Sequence, residues 1–361
     1  MLRRAGIVVL ALVVLAAGAG FLFREPILTA VARRVIESRM AADTVASLRA
    51  AHPDAIHVVL CGTGSPLPDP TRSGPCTAIV TKTKLLVVDA GSGAARKLLW
   101  LGVRVGDVDG VLLTHYHSDH IDGLGELLLQ RWAGGARHEP LSVYGPQGVE
   151  RVVGGINETY TLDAEYRVAH HGPEIVPPSG RGGAARSFLA PKPGEEIVVF
   201  DEDGLRVSAF AVDHGPVRPA VGYRFDFHGR SVVVSGDTSK SANLTRFAKG
   251  ADLLVHEGLA RQLVALMTDA AHRAERANVE KISRDILSYH TSPVEAAEVA
   301  RDAGVHMLVF THVIPPLPSA SMESLFLKGV SAVWRGPVVV GRDGMTFTLS
   351  AGGEAIERGA L

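Results

Sequence analysis

The chain has 361 residues, of which 46% are hydrophobic, enough for one large single-core domain, which we favour, or two small ones. Its 37 lysines and arginines are balanced by 38 aspartates and glutamates, so the formal net charge is −1. This balance excludes the overall basic surface typical of proteins that bind nucleic acid through its phosphates, although a local basic patch stays open.

An uncharged apolar stretch runs from Ala5 to Phe23, directly after Arg3 and Arg4. These nineteen residues approach the length of a membrane-spanning helix, and the basic flank favours the cytoplasmic side. We therefore predict that residues 1–23 anchor the protein in the inner membrane, with the remainder facing the periplasm. The small residues Ala17-Gly18-Ala19 resemble a cleavage site, so a removable signal peptide and secretion to the periplasm are the alternative.

Residues 24–55 are predicted to form a linker helix. Their apolar residues have a loose helical periodicity, which His52-Pro53 interrupts. Residues 56–361 are predicted to form one domain that opens with β units. The predicted strands are 56–60, 78–80, 85–88, 111–113, 141–144, 196–200, 205–212, 220–227, 231–235, 307–311, 337–341 and 345–349. The predicted helices lie near 93–101, 122–133, 147–160, 241–249, 259–286 and 293–303. This order favours two mixed sheets packed face to face, with helices outside each.

Residues 161–195 interrupt this order with many prolines and glycines. Such a long irregular stretch is usually a functional cover or disordered, and we expect this one to border the active site. His170 and His171 within it are candidates to touch the substrate. Solvent-facing loop histidines are the alternative interpretation.

Four potential metal ligands follow the apolar run Val111-Leu112-Leu113 within six positions: His115, His117, Asp119 and His120. Imidazole and carboxylate groups suit zinc, and one ion cannot easily bind all four. We therefore predict that these four residues lie in a tight loop after a strand and bind two neighbouring cations. A chance cluster on a solvated loop is the alternative, which the H-x-H-x-D-H spacing disfavours.

Three more potential ligands, His214, Asp237 and His312, lie at or just after predicted strand ends. Each alone is a weak signal, because strand ends often carry a polar residue that satisfies loop backbone. Their order after the first motif is what indicates a shared site.

Together these motifs resemble the metallo-β-lactamase superfamily, and they are most similar to its ribonuclease Z-like and arylsulfatase-like branch. Gly62-Thr63-Gly64-Ser65-Pro66, Gly236-Asp237-Thr238, His256-Glu257 and His290-Thr291-Ser292-Pro293 carry the branch resemblance, which covers roughly residues 56–316. It implies an α/β fold, the four-layer αββα sandwich.

The resemblance also implies how the residues act. His115, His117 and His214 would bind one zinc ion, Asp119, His120 and His312 a second, and Asp237 would bridge both. A hydroxide between the metals would attack the substrate, with Asp119 and His290 as catalytic residues and His290 as the proton donor. A cap for the helix predicted over 293–303 is the alternative role of His290. Asp89 would orient a ligand histidine through its ring N–H, or alternatively cap the helix near 93–101.

One departure from the branch concerns its substrate. Ribonuclease Z proteins that process transfer RNA usually carry a long basic arm between their Gly-Tyr-Arg strand and Gly-Asp-Thr, and here only Phe225 to Arg230 and one strand occupy that gap. We therefore expect a dizinc hydrolase of a phosphodiester or related ester, on a small-molecule or oligomeric substrate, and not transfer-RNA maturation. An arylsulfatase-like sulfate-ester hydrolase and a non-catalytic exported metal-binding module are the alternatives, while lactam and thioester hydrolysis stay open.

Two associations are left open by the sequence. Cys61 and Cys76 flank the first turn region, and export would permit a disulfide between them, whereas two buried thiols are the alternative. Related proteins often pair, so a homodimer is a further expectation.

Overall fold

The computed structural model describes residues 24–361, and the predicted anchor or signal peptide of residues 1–23 lies outside that part. Residues 24–43 belong to one compact unit, whose helix α1 (Arg24–Ala41) has no buried side chain. Residues 44–361 form a second unit, which begins with helix α2 (Thr44–Ala51) and its buried Val45. No helix within residues 24–361 combines the length and the apolar character that crossing a membrane requires.

The second unit contains two sheets. Its strands are β1 (Ala55–Gly62), β2 (Cys76–Val80), β3 (Leu85–Val88), β4 (Gly110–Leu112), β5 (Leu141–Pro146), β6 (Gly183–Phe188), β7 (Glu196–Glu202), β8 (Leu205–Ala211), β9 (Val221–Phe227), β10 (Arg230–Val234), β11 (Leu253–Leu259), β12 (Met307–Ile314), β13 (Val338–Val340), β14 (Met345–Ser350) and β15 (Glu357–Ala360). The first sheet has the order β15-β14-β1-β2-β3-β4-β5-β6 and the second the order β13-β12-β11-β10-β9-β8-β7. Both are mixed, since each contains parallel and antiparallel pairs.

The second unit also contains further helices, several of which pack on the outer faces of the sheets. They are α3 (Ala94–Trp100), α4 (Ser118–Ile121), α5 (Leu124–Gly135), α6 (Val149–Thr159), α7 (Thr161–His171), α8 (Ala242–Phe247), α9 (Arg261–Arg273), α10 (Ala277–Asp285), α11 (Pro293–Ala303), α12 (Ala320–Phe326) and α13 (Val330–Val333).

The alternation of side chains along each strand creates three apolar layers. In β1, Ile56 and Val58 belong to the cluster between the sheets, whereas Val59 packs in the cluster that contains α3 and α5 residues. In β12, Val309 faces the other sheet and Leu308 packs in the cluster that contains α11 residues. Strands buried on both faces need apolar residues at successive positions, which explains the continuous apolar runs in the sequence. The predicted sandwich of two mixed sheets is confirmed.

Several elements differ from the prediction, and strand β15 and helices α12 and α13 were not predicted. Residues 161–195 are not irregular throughout, because they contain α7 and β6, and their prolines begin only at Pro173. The helix predicted over 259–286 is two helices, α9 and α10, separated at Glu275, whose φ of 55° lies in the left-handed region. The strand β11 was not predicted at all, since its apolar run is short and adjoins a long helical pattern.

Candidate metal centre

The first four ligand candidates lie in one tight connection after β4. His117 is the N-cap of α4, so Asp119 and His120 fall in its single turn. This connection packs against the backbone after β3, where a Cβ on Gly91 would lie only 2.3 Å from the Asp119 carbonyl oxygen. Glycine at position 91 therefore allows the close approach that places the motif at the rim of the first sheet.

The second sheet brings the other three candidates to the same rim. His214 follows β8, and Asp237 follows β10 after Gly236, whose φ of 61° turns the chain. His312 lies within β12 at an irregular register, because Glu257 pairs with Thr311 and Gly258 with Val313. His312 is thus the extra residue of a bulge, with a φ of 44°. A bulge redirects a side chain, and here it lets a residue of a buried strand reach the site.

The structure brings all seven candidates together. His117 Nδ1 lies 3.1 Å from His115 Nε2 and 3.3 Å from His214 Nε2, which makes the first group. In the second group, Asp119 Oδ2 lies 3.1 Å from His312 Nε2 and 3.5 Å from His120 Nε2.

Asp237 lies between the two groups. Its Oδ2 is 3.9 Å from the Nε2 atoms of His115 and His214, and 3.3 Å from those of His120 and His312. This oxygen can therefore contact cations in both groups.

Hydrogen bonds fix the tautomers of three of these histidines. Asp89 Oδ2 accepts from His120 Nδ1 at 2.8 Å, and the Tyr289 carbonyl oxygen accepts from His214 Nδ1 at 2.9 Å. Thr114 donates its hydroxyl proton to Asp89, so its oxygen accepts from His115 Nδ1 at 3.1 Å. Each Nε2 atom therefore keeps its lone pair, and the three lone pairs point toward the common centre.

The charges of the site fit cation binding. Burial lowers the pKa values of His115, His117 and His214, which keeps these imidazoles neutral as metal ligation requires. Burial alone would also lower the pKa of His312, but the Asp237 and Asp119 carboxylates raise it to about 9. The two carboxylates thus attract positive charge, and bound dications would supply it.

Two buried atoms also indicate a missing partner. Within the described residues, His120 Nε2 and Asp237 Oδ1 have no hydrogen-bond partner. Buried polar atoms are rarely left unpaired, and a cation would satisfy these two. The nitrogen and oxygen donor set suits zinc, while the identity and number of the ions stay predictions.

His290 adjoins the second group from the loop before α11. A ring nitrogen of His290 lies within 4.8 Å of ligand atoms of Asp237 and His312. Glu257 on β11 contacts His290 Nδ1 at 3.1 Å through its Oε1 atom and accepts from Thr291 N at 2.9 Å. Glu257 therefore fixes the orientation of the His290 ring.

Two residues that hold the site had no assigned role in the sequence analysis. Thr114 bonds both Asp89 and His115, and it directly precedes the motif. Glu257 belongs to a strand that the sequence analysis did not predict. Recognising β11 would have placed Glu257 at a strand end beside the other candidates.

His170 and His171 are not among the groups of potential metal ligands found within residues 24–361. They end α7, which packs on α5 through Trp132, Ala164 and Val168, and their two rings contact each other. Their predicted contact with substrate stays a prediction.

Cys61 and Cys76 form a disulfide that links the end of β1 to the start of β2. The backbone of the loop between them forms hydrogen bonds with residues that adjoin the centre. Thr63 O accepts from Val313 N at 3.0 Å, next to His312, and Pro75 O accepts from Gly91 N at 3.0 Å. Because both cysteines belong to this disulfide, the alternative of two buried thiols is wrong for this structure.

Comparison with known proteins decides the family. The family model described as the metallo-beta-lactamase superfamily matches residues 69–312, a range that includes all seven candidates. The chain belongs to the metallo-β-lactamase superfamily.

The ribonuclease Z resemblance is also confirmed. Ribonuclease Z of Mycolicibacterium gilvum is 37% identical over 267 residues, which cover 73% of this chain and 85% of that protein. Ribonuclease Z of Mycobacterium marinum is 33% identical over 290 residues, which cover 80% and 96%. The arylsulfatase-like part of the resemblance stays a prediction.

Solved structures of this superfamily share the fold. The metallo-beta-lactamase fold protein YhfI from Bacillus subtilis has a TM-score of 0.59 at 20% identity, covering 82% of this chain and all of that one. The short form of human tRNase Z has a TM-score of 0.56 at 23% identity, covering 82% and 99%. Family membership and the ligand groups together identify a metal-dependent hydrolase of the metallo-β-lactamase superfamily with ribonuclease Z-like relatives.

Proposed function

We propose that this protein hydrolyses phosphodiesters with two zinc ions. The observation that carries the proposal is the position of Asp237 Oδ2, within 3.9 Å of four histidine nitrogens that belong to two separate ligand groups. Two bound dications would supply a water of near-neutral pKa and stabilise the anionic transition state. The relatives named ribonuclease Z favour a phosphodiester over other esters.

Asp119 and His290 have separate roles in this proposal. We assign to Asp119, which lies in the second ligand group beside His312, the role of holding the attacking water by accepting its hydrogen bond. His290, oriented by Glu257, donates a proton to the oxygen that leaves. A leaving alkoxide is a strong base, so a proton donor at this place lowers the barrier to bond cleavage.

We propose short phosphodiesters, not precursor transfer RNA, as substrates. The β9–β10 connection is a two-residue turn, His228-Gly229, which leaves no room for a basic arm there. A cleavage assay on a precursor transfer-RNA transcript tests this proposal, and efficient trimming at its 3′ end would contradict it.

We also propose that the protein is exported and faces the periplasm. The apolar stretch after Arg3 and Arg4 supports this, and so does the Cys61–Cys76 disulfide, because disulfides persist mainly in oxidising compartments. Cell fractionation with a thiol-reactive label tests it. Soluble protein with two reactive thiols in the cytoplasm would contradict it.

The test of the activity begins with the metal content of the purified protein. Turnover is then measured on bis(p-nitrophenyl) phosphate and on chromogenic sulfate, lactam and thioester substrates. We expect zinc and phosphodiester turnover that His115→Ala abolishes in a folded protein, while the exposed control His272→Ala, outside the ligand groups found within residues 24–361, keeps it. Preferred sulfate cleavage would support the arylsulfatase-like alternative, and a full zinc load without hydrolysis would support the metal-binding module.

A further inference from the structure

An open groove of about 660 Å³ leads outward beside the first ligand group. Two of its walls continue the segments that carry ligands, since Asp213 precedes His214 and Lys240 follows Asp237 by three positions. A hydrogen bond of 2.7 Å from Ser239 N to Asp213 O joins these walls. The groove is therefore lined by segments that adjoin His214 and Asp237 in the sequence.

The opposite wall is joined to the first metal motif. Gln147 lines the groove and accepts a hydrogen bond from Ala190 N at 2.9 Å. The neighbouring Gly148 lies against the ring of Tyr116, which stands between His115 and His117. A molecule that occupies the groove thus contacts segments that adjoin ligand-bearing loops of both sheets.

The lining of the groove selects the kind of molecule that fits. Small apolar side chains make up most of it: Ala190, Pro193, Ala211, Val212, Pro219, Ala220 and Ala242. Such a smooth apolar surface suits a flat ring system, and the volume lies in the range of small-molecule sites.

The charged side chains of the groove set a direction along it. Asp213 is an exposed carboxylate at the metal end and disfavours a second anion there. Lys240 is held by Glu298 at 2.7 Å. Arg218 is exposed and donates only its Nε, to Gly215 O at 3.3 Å, so among the described residues its terminal nitrogens have no partner. One available cation suits one further anion, whereas a polymer backbone needs a row of them.

We infer that this groove binds the non-reacting part of a short phosphodiester, with a flat group on its apolar surface and a second phosphate on Arg218. The inference rests on the proposed phosphodiesterase activity and adds the substrate class. The Arg218 guanidinium matches a phosphate through two parallel N–H donors. The preferred substrate is therefore a terminally phosphorylated dinucleotide or a molecule of the same shape.

The first test measures binding without turnover. The probe is dithymidine methylphosphonate, whose linkage resists cleavage by nucleases, prepared with and without a 5′-phosphate. Calorimetry on the zinc-loaded full chain should show about tenfold tighter binding of the phosphorylated form, the size expected for one charge-assisted contact. Arg218→Ala should erase this preference, while Arg335→Ala, at an exposed arginine outside the groove, should keep it.

Equal binding of the two probes by the wild type, or an unchanged preference in Arg218→Ala, would overturn the inference. Hydrolysis of the corresponding dithymidine phosphates is measured in parallel. A preference that depends on Arg218, without any hydrolysis, would support the groove and reject the phosphodiesterase proposal. Hydrolysis without that preference would support the phosphodiesterase proposal and reject the role of the groove.

Discussion

At the scale of single residues, Asp89 controls the metal centre without belonging to the proposed ligands. It accepts from His120 Nδ1 with Oδ2 and from Thr114 N with Oδ1. In Asp89→Asn one of these oxygens becomes an amide nitrogen, so the hold on His120 is weakened while the backbone contact can persist. We expect zinc affinity at the second group to fall about 10- to 100-fold. Competition with a chromophoric chelator measures it.

Asp109→Asn is the matched control for this prediction. Asp109 directly precedes β4 and accepts from Leu85 N at 2.7 Å, and within residues 24–361 it forms no hydrogen bond with a proposed ligand. Its substitution should change stability but not zinc affinity. Zinc binding by Asp89→Asn at the affinity of the wild type would contradict the role assigned to Asp89.

His57 gives a prediction on acid stability that is independent of catalysis. It is buried on β1, with Nδ1 bonded to Thr348 Oγ1 at 2.9 Å and Nε2 unpaired among the described residues. Burial lowers its pKa from 6.5 to about 4. As pH falls, the unfolded chain therefore binds the proton first. The contribution of neutral His57 to the free energy of unfolding is complete above pH 6.5 and is lost between pH 6.5 and about 4. This loss is on the order of 3 kcal/mol.

Urea unfolding of wild type and His57→Asn at several pH values tests this. Asparagine can keep the contact with Thr348 but does not titrate, so the stability of the variant should fall less between pH 6.5 and 4. Both proteins carry the same proposed metal ligands, and the metal contribution cancels in the difference. Parallel curves for the two proteins would show that His57 does not titrate in this range.

At the scale of elements, the disulfide between β1 and β2 should be a main source of stability. It closes a loop with a sequence separation of 15, and a loop of this size is worth about 3 kcal/mol in the unfolded chain. We expect dithiothreitol to lower the free energy of unfolding of the wild type by about this amount. The double variant Cys61→Ala and Cys76→Ala should be less stable and insensitive to the reductant. Equal stability of oxidised and reduced wild type would contradict the prediction.

The elements also differ in how well the sequence predicts the site residues that they carry. The H-x-H-x-D-H motif places its own members, because they share one loop after an apolar run. His214 and Asp237 follow strands whose apolar runs are visible in the sequence. The bulge that redirects His312 depends on pairing between β11 and β12, and β11 was not predicted. The positioning role of Glu257 was missed for the same reason.

Segment composition explains another difference. Averaged over 161–195, the many prolines and glycines indicate an irregular loop, but none lies within Thr161–His171. That shorter stretch can be helical, and it packs on α5 through Ala164. Sequence reasoning on windows of one helix length would have separated α7 from the loop that follows it.

At the scale of the whole molecule, the metal centre joins the two sheets. His115, His117, Asp119 and His120 follow β4 of the first sheet, whereas His214, Asp237 and His312 come from the second. Each proposed ligand group takes residues from both sheets, so bound metal would link them at the rim. The sequence could not show this, because it does not assign β4 and β8 to different sheets.

The homodimer expected from the sequence stays a prediction.

This link predicts that chelation destabilises the whole sandwich. An ion that binds only the folded state adds roughly 4 kcal/mol when its concentration is a thousand times its dissociation constant. We therefore expect the wild type to lose several degrees of melting temperature in a strong chelator, because its buried carboxylates then face each other without the cations. Asp237→Ala, which removes the oxygen near both groups, should show a much smaller difference between chelator and zinc. An unchanged melting temperature, in wild type whose zinc content falls to zero on chelation, would show that the metals do not hold the two sheets together.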